Sequence, residues 1–154
     1  MEESFILAIP EYKLYNNKSI YIGTVLGGPL VAGYFAAENF KKLGKPIQAR
    51  NSWAVAVAAT IIIFAAAIYI PGLENIPSYI IPLIYTGIAQ IVIGKYQGEA
   101  FKAHQAENGK FYTPWRGLWI GLIGAVILIT IVFILLYLNF TLTVLGSRPV
   151  DFRG

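Results

Sequence analysis

Positions 23 to 46 read GTVLGGPLVAGYFAAENFKKLGKP. The first half is apolar and rich in small residues, with Gly27, Gly28 and Pro29 at its centre, and the stretch turns polar and basic at Glu38. A proline inside a helix withholds the N–H that the carbonyl four residues earlier would accept, here that of Val25, and two preceding glycines weaken the helix further. The pattern predicts a helix with an interrupted centre, leaving an apolar environment into a positively charged segment. The interruption admits two forms: a kink that permits close packing, or an unwound segment whose backbone lines a cavity.

The rest of the composition says what that environment is. Of the 154 residues, 56% are hydrophobic and only 13% charged, with a mean hydropathy of +0.61. Soluble domains carry about 25% charged residues, so a water-covered surface would lack half its usual charge. This points to an integral membrane protein, for which lipid is the solvent and the bilayer the first partner. The net charge of +4 and pI near 9.3 do not point to nucleic acid. The basic residues sit in short segments beside apolar runs, with no basic helix face and no nucleic-acid motif. The absence of cysteine excludes disulfides, thiolate metal sites and a cysteine nucleophile. The first nine residues, MEESFILAI, are acidic where a signal peptide is basic, so no cleavable signal is expected.

Outward from the quoted stretch, the chain divides into four uncharged runs and two basic loops. The first span is read as 19–37, after a tail (1–18) whose aromatic and aliphatic residues suit a membrane surface, with Ser19 as the N-cap. A basic loop (38–52) carries Lys41, Lys42, Lys45 and Arg50. The second span (53–73), a short turn (74–78) and the third span (79–96) make an antiparallel hairpin. The second basic loop (97–116) begins with good helix formers, so the third helix is expected to extend beyond the membrane until Asn108-Gly109 stops it. The fourth span is 117–139, followed by a tail (140–154) whose threonine-rich start either prolongs the helix or adopts another conformation. The fold class is therefore all-α: four transmembrane helices arranged as two antiparallel hairpins. Each half repeats a span, a basic loop and a Trp-led span.

Orientation follows from charge. With Lys95 at the edge of the second, the two basic loops hold eight of the twelve Lys and Arg, which places them in the cytoplasm and both termini outside. Lys41, Lys42, Lys45, Arg50 and Arg116, with the interfacial Trp53, Trp115 and Trp119, are the residues that anchor this topology.

Small residues recur at helical spacing. Gly23, Gly27, Gly28 and Gly33 on the first span, and Gly117, Gly121 and Ala125 on the last, would let backbones approach closely, within the chain or against a neighbour. Thr86 and Gln90 share a face of the third span and, with the break at Pro29, define a possible polar pathway. No span contains an internal Asp, Glu, Lys, Arg or His, Lys95 lying at the end of the third where it can snorkel, which weighs against a proton relay or an ion-coupled carrier. Glu99, Lys102, His104 and Glu107 lie on the expected cytoplasmic extension, with His104 on a solvated face, and form a possible docking surface for a partner. No metal, cofactor or small-molecule substrate is implied, and no catalytic constellation is recognisable. Asn139-Phe140-Thr141 matches a glycosylation sequon that hugs the membrane.

The run from Thr24 to Gly44, together with Glu99, His104, Gly109 and the Tyr112–Arg116 segment, resembles a family of small, uncharacterised four-span proteins of the bacterial inner membrane. The resemblance implies that location and brings no activity. The functional expectation is a non-enzymatic accessory or assembly subunit, acting through helix packing and its basic loops, as a homo-oligomer or with another membrane protein. The alternative is a small transporter or channel formed by an oligomer and lined by the Gly27-Gly28-Pro29 break and Gln90.

Overall fold

The fold turns on Gly28. In the computed structural model, which describes residues 10–146, this glycine has φ 72° and ψ −169°, a backbone region essentially closed to residues with a Cβ. The chain reverses direction there. Helix α1 (Asn17–Lys42) is thus two antiparallel arms, residues 17–27 and 29–42, joined at a glycine tip. Tyr15 shows the reversal directly: its amide donates to Asn39 Oδ1 at 2.8 Å. Along a straight helix, a separation of 24 residues would span about 36 Å. The arms are about 16 and 21 Å long, at 1.5 Å per residue.

Three longer elements surround this hairpin: α2 (Pro46–Tyr69), α3 (Ile80–Ala106) and α4 (Pro114–Gly146), with a 3-10 turn at Leu73–Asn75 between α2 and α3. All three pack mainly on α1 rather than on one another. Helix α4 runs parallel to the first arm, with Gly117 against Ser19, Gly121 against Gly23 and Gly124 against Gly27 and Val31. Helix α2 runs antiparallel to the second arm, where a Cβ on Gly33 would run into Ala56. Helix α3 touches both arms, through Tyr85 on the Val25 carbonyl and Gln97 on that of Ala36. The core lies between the arms, α3 and the segment before α1, and includes Leu14, Tyr15, Ile20, Phe35, Ile93 and Phe101. Among the described residues there is no β-strand, only an isolated bridge between Leu14 and Phe111.

Helices α1, α2 and α4 are long and apolar enough to cross a membrane. For α1 that length is folded on itself, so the expected crossing over 19–37 is corrected to a hairpin whose two ends lie together. The expected repeat of two similar halves fails for the same reason. Since α2 and α4 both begin at the open end of the hairpin, α3 must carry the chain back from the far end, using its apolar residues 80–94.

The reversal also corrects the placement of the N-terminal segment. Leu14 donates to the carbonyl of Lys110 at 3.3 Å, and the Tyr112 amide donates to that of Leu14 at 2.9 Å. Residues 10–16, the turn at 43–45 and the segment 107–113 therefore share one end of the molecule, the mouth of the hairpin. They do not lie on opposite sides of it. The expectations resting on residues 1–9 and 147–154 lie outside the described residues.

Helix ends follow local chemistry. Asn16, not Ser19, is the N-cap of α1, accepting the Ser19 amide at 2.8 Å. The helix runs on to Lys42, and Gly44 in the left-handed conformation (φ 69°) turns the chain so that Pro46 can open α2. Thus most of the expected 38–52 loop is helical. At the end of α3 the left-handed residue is Asn108 (φ 55°), with Glu107 as C-cap. Helix α4 continues through the threonine-rich end, correcting the tail expected from 140. Thr141 and Thr143 donate their hydroxyls to the carbonyls of Tyr137 and Asn139, and the helix reaches about 50 Å.

Candidate functional site

The polar chemistry of the described chain gathers at the mouth. Asn39 is fully buried and its amide pairs with the backbone of Tyr15 as a neighbouring strand would. Its Oδ1 accepts the Tyr15 N–H, and its Nδ2 donates to the Tyr15 carbonyl at 3.0 Å and to Gln97 Oε1 at 3.1 Å. Gln97, also fully buried, donates to the Ala36 carbonyl at 2.9 Å. One side-chain pair thus ties the segment before α1, the second arm and α3 together. Every member is satisfied, the condition under which a buried polar network specifies a unique packing.

Above this floor a cavity of about 180 Å³ opens. Tyr15 and Asn39 form its base, Tyr34 and Tyr112 its walls, and Lys13, Glu38, Lys42 and Arg116 its rim. Arg116 donates from Nε to the Tyr15 hydroxyl at 3.0 Å, and its guanidinium carbon lies 4.3 Å from the centre of the Tyr112 ring. Its planar fork is therefore held in place. Burial and the neighbouring Tyr34 hydroxyl push the Tyr15 phenol up to about 12, against the pull of Arg116, so it stays neutral at physiological pH. Glu38 is neutralised by Lys41 at 2.7 Å. Among the described residues, no carboxylate lies within 4 Å of Lys13, Lys42 or Arg116.

A second cluster closes the other side of the mouth. His104 is buried between Tyr12, stacked at 5.0 Å, and the edge of Phe111 at 5.1 Å, and Gly109 gives its ring room. Its Nε2 lies 3.0 Å from the carbonyl of Lys110, which makes Nε2 the protonated nitrogen, since a carbonyl only accepts. Nδ1 is buried without a partner among the described residues. The expected solvated histidine is thus corrected: its ring holds the segment before α1 against the 107–113 turn. Of the four residues read as a docking surface, Glu99 and Lys102 form an exposed pair at 3.1 Å, Glu107 is exposed, and His104 is not.

The expected polar pathway is dispersed. Gln90 is half-buried, with only a long contact of 3.5 Å to the carbonyl of Asn17, whereas Gln97, read as a loop residue, is the buried amide. Thr86 is fully buried, and its hydroxyl, like that of Thr24, has no partner among the described residues. Pro29 opens the second arm directly after the tip. Tyr85 caps the first arm: its hydroxyl donates to the Val25 carbonyl at 3.1 Å, the acceptor that Pro29 cannot serve.

The packing glycines have two distinct environments. Gly23, Gly27 and Gly33 on α1 and Gly117, Gly121 and Gly124 on α4 meet another element closely, with Ala125 half-buried beside them, while Gly28 makes the turn. Gly87, Gly94 and Gly98 on α3 have nothing within 4 Å of a Cβ placed there. The topology anchors all lie toward the mouth. Lys41, Lys42, Lys45, Arg50 and Arg116 are exposed, and Trp53, Trp115 and Trp119 are 39%, 71% and 63% exposed. Asn39 and Tyr15 were not distinguishable as site residues in the sequence, where each stands among many similar polar and aromatic neighbours. Comparison with protein-family models, with curated proteins and with solved structures finds no match.

Proposed function

We propose that this chain is a non-enzymatic membrane subunit that assembles with a second copy or another membrane protein through α3. The observation that carries this reading is the open glycine face of that helix. Gly87, Gly94 and Gly98 fall on one stripe at 100° per residue. A glycine in a helix interior costs roughly 0.5–1 kcal/mol relative to alanine. On α1 and α4 close packing offsets that cost, but on α3 nothing among the described residues does. Gln90, next to the stripe with most of its hydrogen-bonding capacity unused, adds a polar contact of the kind that joins helices in lipid.

In this reading α2, α3 and α4 cross the bilayer and the α1 hairpin enters it from the mouth side without crossing. The ten Lys and Arg of residues 10–146 all lie toward the mouth, which supports a cytoplasmic mouth with the C-terminal end of α4 outside. The resemblance noted above supports a bacterial inner membrane. The test is co-purification of tagged with untagged chains, and of other membrane proteins, from native membranes. Association should be lost in the Gly87→Leu/Gly94→Leu double variant while its thermal stability in detergent is kept. Equal association in the variant and the wild type would overturn the proposal.

One observation favours the channel reading as a second possibility. The hydroxyls of Thr24 and Thr86 are buried and unpartnered on either side of the Val25–Tyr85 contact, beside the helix break. Solute flux in reconstituted vesicles that falls on Thr86→Val would support it.

A further inference from the structure

We propose that the mouth cavity is a binding site for an anionic phosphate group, with the headgroup of a membrane lipid as its source. Its chemistry is one-sided. Three cations, Lys13, Lys42 and Arg116, face a single carboxylate, Glu38, which Lys41 already neutralises. Among the described residues none of the three has an acidic partner, although unpaired cations that share a partly enclosed space repel one another. An anion placed between them removes that repulsion.

Arg116 is positioned for such a ligand. Its Nε is occupied by the Tyr15 hydroxyl and its face by the Tyr112 ring, which leaves the terminal Nη groups as a preorganised pair of donors. That edge matches the bidentate geometry of phosphate oxygens. The base beneath it is rigid, because Tyr15 is clamped through its backbone by the buried Asn39. Tyr15 is in this sense a positioning residue for Arg116.

Size and location identify the class of ligand. Pockets for drug-sized ligands occupy about 300–1,000 Å³, so a cavity of about 180 Å³ takes a headgroup or a small anion and not an extended solute. Exposed tryptophans flank the cavity, Trp53 against the lining residue Tyr34 and Trp115 next to Arg116 in the chain, and tryptophan is enriched at the headgroup depth of a bilayer. Lipid phosphates are present there at high local concentration, and the lipid tails can lie along the uncovered apolar flanks of α2 and α4. The proposal rests on membrane embedding but not on association through α3.

The test uses the full chain in neutral detergent, with bound lipid counted by native mass spectrometry during titration with phosphatidylglycerol or phosphatidylcholine. Both lipids carry the phosphate, but the quaternary ammonium of phosphatidylcholine would lie beside Lys13, Lys42 and Arg116, so wild type should prefer the anionic lipid by about tenfold. Arg116→Gln should abolish most of that preference, Arg116→Lys should restore part of it, and Lys102→Gln, at an exposed pair outside the cavity lining, should leave it intact. Lys42→Gln disturbs no hydrogen bond of the fold and guards against a misfolded Arg116 variant; it too should lower the preference. Titration with inorganic phosphate separates the sources. Failure of millimolar phosphate to displace phosphatidylglycerol identifies the lipid, whereas displacement moves the assignment to a soluble phosphate compound and overturns the lipid source. Equal binding of the two lipids, or an unchanged preference in both Arg116→Gln and Lys42→Gln, overturns the site. The α3 glycine variants should keep the lipid preference, so loss of association and loss of this site are told apart.

Discussion

Tyr85→Phe tests how the hairpin survives in an apolar surrounding. The first arm ends at the tip, so its last carbonyls have no helical donor, and for Val25 the residue four positions on is Pro29, which has no N–H. The Tyr85 hydroxyl, reaching from α3, donates to that carbonyl at 3.1 Å. Replacement by phenylalanine keeps the ring and its packing and removes only the donor. Leaving a desolvated acceptor unpaired costs about 1–3 kcal/mol. At about 2–4 °C per kcal/mol for a chain of 150–250 residues, the melting temperature should fall by roughly 2–12 °C. Thermal unfolding in mild detergent, followed by circular dichroism, measures it. Tyr21→Phe is the matched control, since Tyr21 is 46% exposed and its hydroxyl has no hydrogen bond among the described residues. If both variants melt within about 1 °C of the wild type, corresponding to less than about 0.5 kcal/mol, the carbonyl is satisfied by other means and the reasoning fails.

Further outcomes follow from the same geometry. Gly28→Ala forces a Cβ into a conformation open only to glycine and should cost about 1–3 kcal/mol, read as a lower melting temperature. Gly121→Ala would drive its methyl into the Gly23 backbone, 2.8 Å away, and should destabilise by a similar 1–3 kcal/mol or so, while Gly94→Ala, with open space around it, should stabilise the isolated chain by up to about 1 kcal/mol. Single cysteines at Lys13 and Lys45 should react with an impermeant thiol reagent from the same side of a sealed vesicle. Labelling from opposite sides would refute the hairpin. The fold favours the neutral phenol of Tyr15, so that contribution to stability is whole below the ordinary value near 10 and is lost as pH rises through about 12. Ultraviolet titration should show one phenol ionising near 12, and Arg116→Gln should push it higher still, since Arg116 is the group that lowers it.

Much of the architecture was legible in the residues alone. Composition points to lipid as the solvent, because 13% charged residues cannot clothe a surface in water. The end of the second arm at Gly44-Lys45-Pro46, the long α3 and its stop at Asn108 follow from rules that act within a few residues. The helix break was also readable, since a Gly-Gly-Pro run cannot propagate an unstrained helix.

What the tertiary structure alone decided is the sense of that break. A glycine permits both a kink and a reversal, and hydropathy measures the length of an apolar run without its direction. The choice rests on contacts between residues far apart in the chain: Asn39 on the Tyr15 backbone, Gln97 on Ala36, Tyr85 on Val25 and Gly117 on Ser19. Each satisfies a polar group or permits an approach that only the reversed chain brings into reach. The side occupied by the N-terminal segment, the burial of His104 and the gathering of Lys13, Lys42 and Arg116 around one cavity are all consequences of that reversal.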